Sequence, residues 1–178
     1  MPRPFAHLHL HTQFSLLDGA IQHKALFARA KALGMPAVAM TDHGTLFGAV
    51  EFYEKARDAG VKPILGCEVY VASGSRFERK GREKDEAGFD AINHMLLRAM
   101  NDTGYRNLMV LVSRGYTEGF YYKPRIDLDL LRERSEGLIA TSGCLSSMVS
   151  RAILDNDATR AWRLVEEFAS IFDGRFYL

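Results

Sequence analysis

The sequence predicts an α/β domain built on a mainly parallel sheet, either doubly wound or closed into an α/β barrel. Short apolar stretches with strand character alternate along the chain with segments whose apolar residues recur at helical spacing. The composition is that of a globular domain, with 178 residues of which 47% are hydrophobic and 25% charged. No internal repeat is visible. We therefore treat residues 1–178 as a single domain.

The first strand and helix are predicted at the N-terminus. Residues 5–10 have the short apolar pattern of a strand, and a polar loop follows them. Apolar residues then recur at helical spacing over residues 21–33 until Gly34 and Pro36 end the pattern. The order strand, loop, helix is the beginning of an α/β unit.

The next unit repeats this order. The sequence AVAM at residues 37–40 predicts a buried strand, and helical spacing returns over residues 46–59 until Gly60 ends it. The stretch VKPILGCEVYVA, residues 61–72, predicts the following strand. Residues 73–90 are charged, contain glycine and lack periodicity, so they predict an inserted surface loop.

The second half is less regular. Residues 91–100 predict a strand, and a helix follows over residues 105–114 after the turn sequence NDTG. An irregular aromatic segment, GYTEGFYYKPRID, comes next. The remaining predicted elements are a short helix at 127–134, a strand at 137–144, two helices between 147 and 172, and a strand beginning at 175. Because a domain rarely stops inside a core strand, we expect the chain to be part of a longer protein.

Charge and cysteine content narrow the possible classes of protein. Lys plus Arg number 23 and Asp plus Glu 22, so the chain lacks the basic excess of an independent nucleic-acid-binding protein. Two cysteines, Cys67 and Cys144, are too few for a disulfide framework. The N-terminus lacks a signal-peptide pattern, and the sequence contains no run of eighteen apolar residues. The sequence therefore predicts a cytoplasmic protein.

Three histidines, His7, His9 and His11, occupy alternate positions near the N-terminus. On a strand such residues point to one face, and imidazole nitrogens are common ligands of zinc and similar ions. A single histidine is more often a hydrogen-bonded structural residue than a ligand. Three within five residues favour a metal site.

Similar residue types recur in or just after the later predicted strands: Asp42 and His43 after AVAMT, Glu68 after PILGC, His94 within AINHML and Cys144 after LIATSG. The carboxyl ends of parallel strands meet on one face of an α/β sheet, where functional sites are built. Each residue alone also has a structural explanation, such as a helix cap for Asp42 or a small buried side chain for Cys144. Asp18 is more ambiguous, since Asp-Gly is a common turn dipeptide.

This set of side chains indicates metal-dependent phosphoester hydrolysis. Imidazole, carboxylate and thiolate together suit zinc, manganese or iron better than magnesium, which prefers an oxygen shell. The number of candidate ligands suggests more than one ion, and neighbouring ions commonly support phosphate ester hydrolysis. The sequence has no glycine-rich phosphate loop and no Gly-x-Ser-x-Gly elbow, so nucleotide-binding and nucleophilic-serine classes are disfavoured.

The aromatic segment allows two interpretations. Its residues 120–122 together with Lys123 and Arg125 resemble in composition a surface that binds single-stranded nucleic acid. The same aromatic residues also suit the covering of a barrel edge.

Five motifs resemble, in order, those of the polymerase and histidinol phosphatase (PHP) domain: HLHLHT, TDHG, GCEVY, the histidine of NHMLLRA, and TSGC. Longer stretches, including FAHLHLHTQFSLLDG and EGLIATSGC, are similar to the branch of this family found at the N-terminus of bacterial replicative DNA polymerases. The resemblance runs essentially from end to end. Residues 36–72 are typical of the polymerase branch rather than of the small phosphatases.

The resemblance implies a distorted (β/α)7 barrel that binds two or three divalent ions, zinc or manganese first, with iron or magnesium as alternatives. The ligands it implies are His9, His11, Asp18, His43, Glu68, His94 and Cys144, with His9, His11, His43 and Glu68 as the catalytic core. It makes His7 a neighbour of the site and Asp42 a residue that orients a ligand or its water. The family's last ligand pair, Asp-x-His, would lie beyond Leu178, so we expect the barrel and the metal site to be incomplete at the C-terminus.

The resemblance also implies a function: a 3′–5′ exonuclease that proofreads within a DNA-directed DNA polymerase. The partners it implies are the primer 3′ end of DNA, the remaining polymerase domains, the sliding clamp and a proofreading subunit, with no membrane. Two alternatives stay open. One is a metal-stabilised docking scaffold without nuclease activity, and the other is a free-standing phosphatase of the histidinol-phosphatase type.

Overall fold

A computed structural model describes residues 4–79 and 92–178. In chain order the elements are α1 (His23–Ala32), β1 (Ala37–Met40), α2 (Ala49–Ala59), β2 (Lys62–Ala72), β3 (Ile92–Ala99), α3 (Asp102–Thr117), β4 (Phe120–Tyr121), β5 (Lys123–Ile126), α4 (Leu128–Arg134), β6 (Leu138–Thr141), α5 (Met148–Leu154), α6 (Ala158–Phe172) and β7 (Phe176–Tyr177). The α/β class predicted from the sequence is confirmed. Of the helices described, none has the length and apolar character needed to cross a membrane.

One sheet organises the domain, and the long strand β2 lies near its centre. The strand order is β4-β5-β2-β3-β6-β7, and β1 pairs with the first part of β2. The pairings β1–β2, β2–β5 and β6–β7 are parallel. The described strands form an open sheet.

The expectation of a mainly parallel sheet is wrong for β3, which runs antiparallel to both β2 and β6. A parallel neighbour would need a crossover connection, which is usually a helix. The sequence between β2 and β3 has no helical periodicity. Residues 80–90 of the predicted surface loop lie outside the described residues. Arg76, near the start of that loop, is buried, with 7% of its surface exposed, so this residue of the predicted loop does not lie on the surface.

The predicted strand over residues 5–10 is irregular. The backbone oxygens of His7 and Leu10 accept hydrogen bonds from Ala39 and Thr41 at 2.8 and 2.9 Å, so this segment lies beside β1. The chain bends at positions 8 and 9 and pairs with β1 at the single residue His7. Strict alternation of the three histidines is therefore lost.

The segment predicted to be irregular, GYTEGFYYKPRID, contains regular structure. Helix α3 continues to Thr117, and the tight hairpin β4–β5 follows. Tyr122, between the two strands, has φ of +59°, which is unusual for a bulky residue.

Two hydrophobic clusters support the sheet. The larger fills the space between the sheet and helices α3 to α6, with Leu97, Leu111 and Phe168 among its buried residues. The smaller joins α1, α2 and β1 through Phe27 and Phe52. Helix α2 ends at Gly60, whose φ of +71° is the left-handed conformation that its glycine predicts. These two clusters hold the strand ends that carry the polar candidates.

Candidate metal centre

Side chains from six parts of the chain meet beside the carboxyl end of β1 and the middle of β2. They are His9 and His11 of the N-terminal segment, Asp18 of the loop before α1, His43 after β1, Glu68 of β2, His94 of β3, and Cys144 after β6. We call these seven residues the histidine–carboxylate cluster. They are the seven positions that the sequence resemblance marked as ligands.

Glu68 is the centre of the cluster, and its side chain is 1% exposed. One carboxylate oxygen, Oε2, lies 2.8 Å from His9 Nε2 and 2.9 Å from His11 Nε2. The same oxygen lies 3.7 Å from His43 Nδ1. The other oxygen, Oε1, lies 2.8 Å from His94 Nδ1. Four imidazoles therefore face one buried carboxylate.

Backbone pairing places Glu68 and His43 side by side. The Glu68 N–H donates to the Asp42 carbonyl at 3.1 Å, and the Gly44 N–H donates to the Glu68 carbonyl at 2.9 Å. Gly44 has φ of +62°, and a Cβ there would lie 2.9 Å from both the Tyr70 ring and Pro124. The glycine of TDHG is therefore required by the turn and by the close packing behind it.

Asp18 and Cys144 lie at opposite sides of the cluster. Asp18 Oδ2 is 3.3 Å from His43 Nε2, and about half of the Asp18 side chain is exposed. Cys144 Sγ lies 3.5 Å from His94 Nδ1 and 3.8 Å from Glu68 Oε1. The Asp18 of the turn dipeptide therefore faces a ligand candidate rather than solvent alone.

Asp42 does not face the cluster but contacts Thr12 and Ser15, which lie next to the cluster. Its fully buried carboxylate accepts hydrogen bonds from Thr12 N–H at 2.6 Å, Thr12 O–H at 2.8 Å and Ser15 O–H at 3.0 Å. Ser15 Oγ in turn accepts from the His43 N–H at 2.9 Å and lies 3.2 Å from His11 Nδ1. The sequence motifs do not reveal Ser15, because a lone serine in a polar loop carries no recognisable spacing.

His7 lies apart from the cluster. Its ring packs edge-on against Phe5 with centroids 4.9 Å apart, and the short contacts around Glu68 do not include it. The resemblance made it a neighbour of the site, and the bend after it explains the separation.

The charges in the cluster depend on one another. Burial alone would raise the pKa of the Glu68 carboxyl, but hydrogen bonds from three histidines, His11 first, outweigh burial and hold that pKa well below its usual range. The hydrogen bond to Glu68 raises the pKa of His11. Burial lowers the pKa of His43, and the neighbouring Glu68 only partly opposes this.

The donor atoms fit divalent cations. If the His11 Nδ1 proton is donated to Ser15, the Nε2 lone pair of His11 faces a carboxylate oxygen at 2.9 Å and the His9 nitrogen at 3.0 Å. Such lone pairs repel one another unless a cation or proton lies between them. His43 Nδ1 is buried and makes no hydrogen bond with the described residues.

Three overlapping groups each bring their ligand atoms within 4.8 Å of one another, and they are His9–His11–Glu68, His11–Asp18–His43 and His43–Glu68–His94. Shared ligands of this kind suit two or three adjacent divalent ions. The candidate site therefore has the composition and spacing of a multi-metal centre.

A family model described as the PHP domain matches residues 7–178. The chain belongs to the PHP domain family. It is 52% identical over 176 residues to a DNA polymerase III subunit alpha of Thermus aquaticus, covering 98% of this chain and 14% of that protein. It is 47% identical over 179 residues to the corresponding subunit of Aquifex aeolicus, covering 100% of this chain and 15% of that protein. This PHP chain thus spans about one seventh of the length of these relatives.

Among solved structures, a metal-dependent phosphoesterase of Bifidobacterium adolescentis overlaps this PHP chain with a TM-score of 0.45 and 26% identity. The overlap covers 64% of this chain and 34% of that one.

Proposed function

We propose that this PHP chain is the N-terminal domain of a replicative DNA polymerase III alpha subunit and that the intact domain hydrolyses phosphodiesters at the 3′ end of a primer. The observation that carries the proposal is the buried Glu68 carboxylate with four histidines facing it. The chain is 47–52% identical to two polymerase alpha subunits over 98–100% of its length, and this similarity supports the polymerase context.

In this proposal the protein residues hold and orient the reacting groups. Divalent ions, zinc or manganese first, would supply charge neutralisation at the phosphate and activation of water. His9, His11, His43 and Glu68 would hold them at the centre, with Asp18, His94 and Cys144 at the edge. Asp42 orients this set indirectly, since it fixes Ser15, which contacts both His11 and His43.

The polymerase context defines the proposed partners. They are the primer 3′ end, the other domains of the subunit, the sliding clamp and a proofreading subunit. We place the protein in the bacterial cytoplasm, which agrees with the two cysteines, both free in the structure.

The test is release of nucleotides from a 3′-labelled, mispaired primer by the full polypeptide with manganese or zinc. We expect Glu68→Gln, and His9→Ala combined with His11→Ala, to lose bound metal and nucleotide release together while polymerase activity remains. Glu54→Gln is the matched control, because Glu54 is exposed on α2 away from the cluster. Full nucleotide release by the histidine double variant would contradict the proposal.

A scaffold function is the second candidate. The cluster joins the N-terminal segment, the turn after β1, β2, β3 and the loop after β6, so bound ions would tie these elements together. Loss of thermal stability on metal removal, without any nucleotide release by the metal-loaded full polypeptide, would favour the scaffold. Efficient turnover of a small aryl phosphate with no action on DNA would instead favour the free-standing phosphatase.

A further inference from the structure

Three exposed aromatic side chains form a row on the same side of the domain as the turn after β1. Phe47, Tyr116 and Phe120 are 70%, 40% and 50% exposed. The rings of Phe47 and Tyr116 have centroids 6.3 Å apart, and those of Tyr116 and Phe120 are 6.2 Å apart and only 20° from parallel. We call these three side chains the aromatic row. Exposed aromatic rings in such an arrangement offer several stacking faces to a ligand.

Lys123 connects the aromatic row to the histidine–carboxylate cluster. In the β4–β5 hairpin Lys123 pairs with Tyr121, which is the residue after Phe120. Its ammonium nitrogen lies 5.3 Å from the centre of the Tyr70 ring, and that ring stacks on His43 at 5.9 Å with 13° between their planes. Lys123 is exposed and forms no ion pair with the residues that the structure describes. An exposed cation therefore lies over the ring that stacks on His43, in the same hairpin that carries Phe120.

Buried hydrogen bonds of Arg125 hold the hairpin that carries Lys123 in place. Arg125 is 8% exposed and donates to the Gly119 carbonyl at 3.0 Å and to the Glu78 carbonyl at 2.7 Å. Tyr122, at the tip, adopts a left-handed backbone conformation that bulky residues rarely adopt. Strained backbone of this kind persists where the surroundings determine it, and it is frequent at functional sites. The tip is thus pre-organised beside the cluster.

We propose that the aromatic row and Lys123 bind a single-stranded polynucleotide 3′ end, with bases stacked on the row and a phosphate at Lys123. The assignment rests on the proposed function and names the surface that delivers the substrate. Every base has a π-face, so aromatic rings with one cation bind single strands without sequence preference. A duplex does not expose its base faces. Because the net charge of the chain is only +1, stacking rather than general electrostatic attraction would supply much of the affinity.

The first test is binding of a fluorescein-labelled oligothymidylate to this chain, followed by fluorescence anisotropy in EDTA so that no hydrolysis occurs. We expect Tyr116→Ala and Phe120→Ala each to weaken binding about fivefold or more, because each removes a stacking face. Trp162→Ala is the matched control, since Trp162 is 69% exposed on α6, which packs against β6 and β7. The binding constant of Trp162→Ala should stay within about twofold of the binding constant of the unchanged chain.

The second test isolates the phosphate contact at Lys123. We expect Lys123→Gln to reduce the slope of log K against log salt by roughly 0.7, the value for one phosphate contact on a single strand. Lys62→Gln, at the first residue of β2 and away from Glu68, should leave the slope unchanged. A merely structural role for Lys123 would not alter the salt slope. All five substituted positions of the two tests are exposed, so thermal unfolding of each variant checks that folding is preserved.

The outcomes separate this inference from the proposed nuclease function. Unchanged affinity in the two aromatic variants, or an unchanged salt slope in Lys123→Gln, would overturn the binding surface even if nucleotide release by the full polypeptide is normal. Weakened binding in these variants supports the surface even if the full polypeptide releases no nucleotides.

Discussion

At the scale of single residues, the site depends on one buried carboxylate and on a second that supports it. Glu68 faces the ligand candidates directly, whereas Asp42 acts through Thr12 and Ser15. The sequence predicted both positions from the ends of apolar stretches. The family resemblance made Glu68 a ligand and Asp42 an orienting residue, but it did not name Thr12 and Ser15 as the groups through which Asp42 acts.

Replacing Asp42 by Asn tests this supporting role. The amide nitrogen of Asn cannot accept from Thr12 or Ser15, so at least one buried donor loses its partner. We expect the free energy of unfolding to fall by about 1–3 kcal/mol. Urea unfolding measures the loss, and metal affinity should fall as Ser15 is released from its position. Asp58→Asn, an exposed matched control on α2, should have little effect; equal stability losses in the two variants would contradict the assignment.

At the scale of elements, the positions of helix ends were predicted correctly, whereas the direction and pairing of some strands were not. Helix ends at Gly60 and near Asp127 were predictable, because left-handed glycine and side-chain caps act within a few residues. The reversed direction of β3 depends on its pairing with β2 and β6, which lie far from it in the sequence. The β4–β5 hairpin is local, but its turn at Tyr122 lacks the Asn-Gly or Asp-Gly sequence that predicts a tight hairpin. Helical periodicity was absent before β3, and that absence was the available signal.

The start of α4 provides an element-scale prediction. Asp127 caps α4 by accepting from Leu130 N–H at 3.1 Å, and it also binds the buried Arg76 guanidinium at 3.0 Å. Asp127→Ala removes the cap and leaves Glu118 as the remaining ionic partner of the buried Arg76 among the described residues, so we expect a stability loss of about 2–4 kcal/mol by urea unfolding. Asp157→Ala removes only the cap of α6, whose bond to Arg160 N–H is 2.9 Å, and should lose about 1 kcal/mol. Similar losses in the two variants would show that the Arg76 pair contributes little.

At the scale of the whole molecule, the cluster joins segments that are far apart in the sequence, from the N-terminal segment to the loop after β6. An ion that binds only the folded chain stabilises it in proportion to the logarithm of its concentration over its dissociation constant. We expect EDTA to lower the unfolding midpoint of the metal-loaded chain measured by calorimetry. The midpoint of Glu68→Gln should not respond to EDTA. An identical EDTA response in the two chains would place the ions elsewhere.

The sequence by itself determined the α/β class, most helix positions and the seven residues of the histidine–carboxylate cluster, because these follow from local periodicity and from motifs that resemble one family. Tertiary structure decided the direction of β3, the separation of His7 from His9 and His11, and the support of the cluster by Ser15. It also decided that Lys123 lies over Tyr70, which in turn stacks on His43. The direction of β3, the bond from Ser15 to Asp42 and the position of Lys123 over Tyr70 are contacts between segments many residues apart, which neither composition nor spacing along the chain encodes. The separation of His7 comes from a local bend at residues 8 and 9, which the alternating histidines do not reveal.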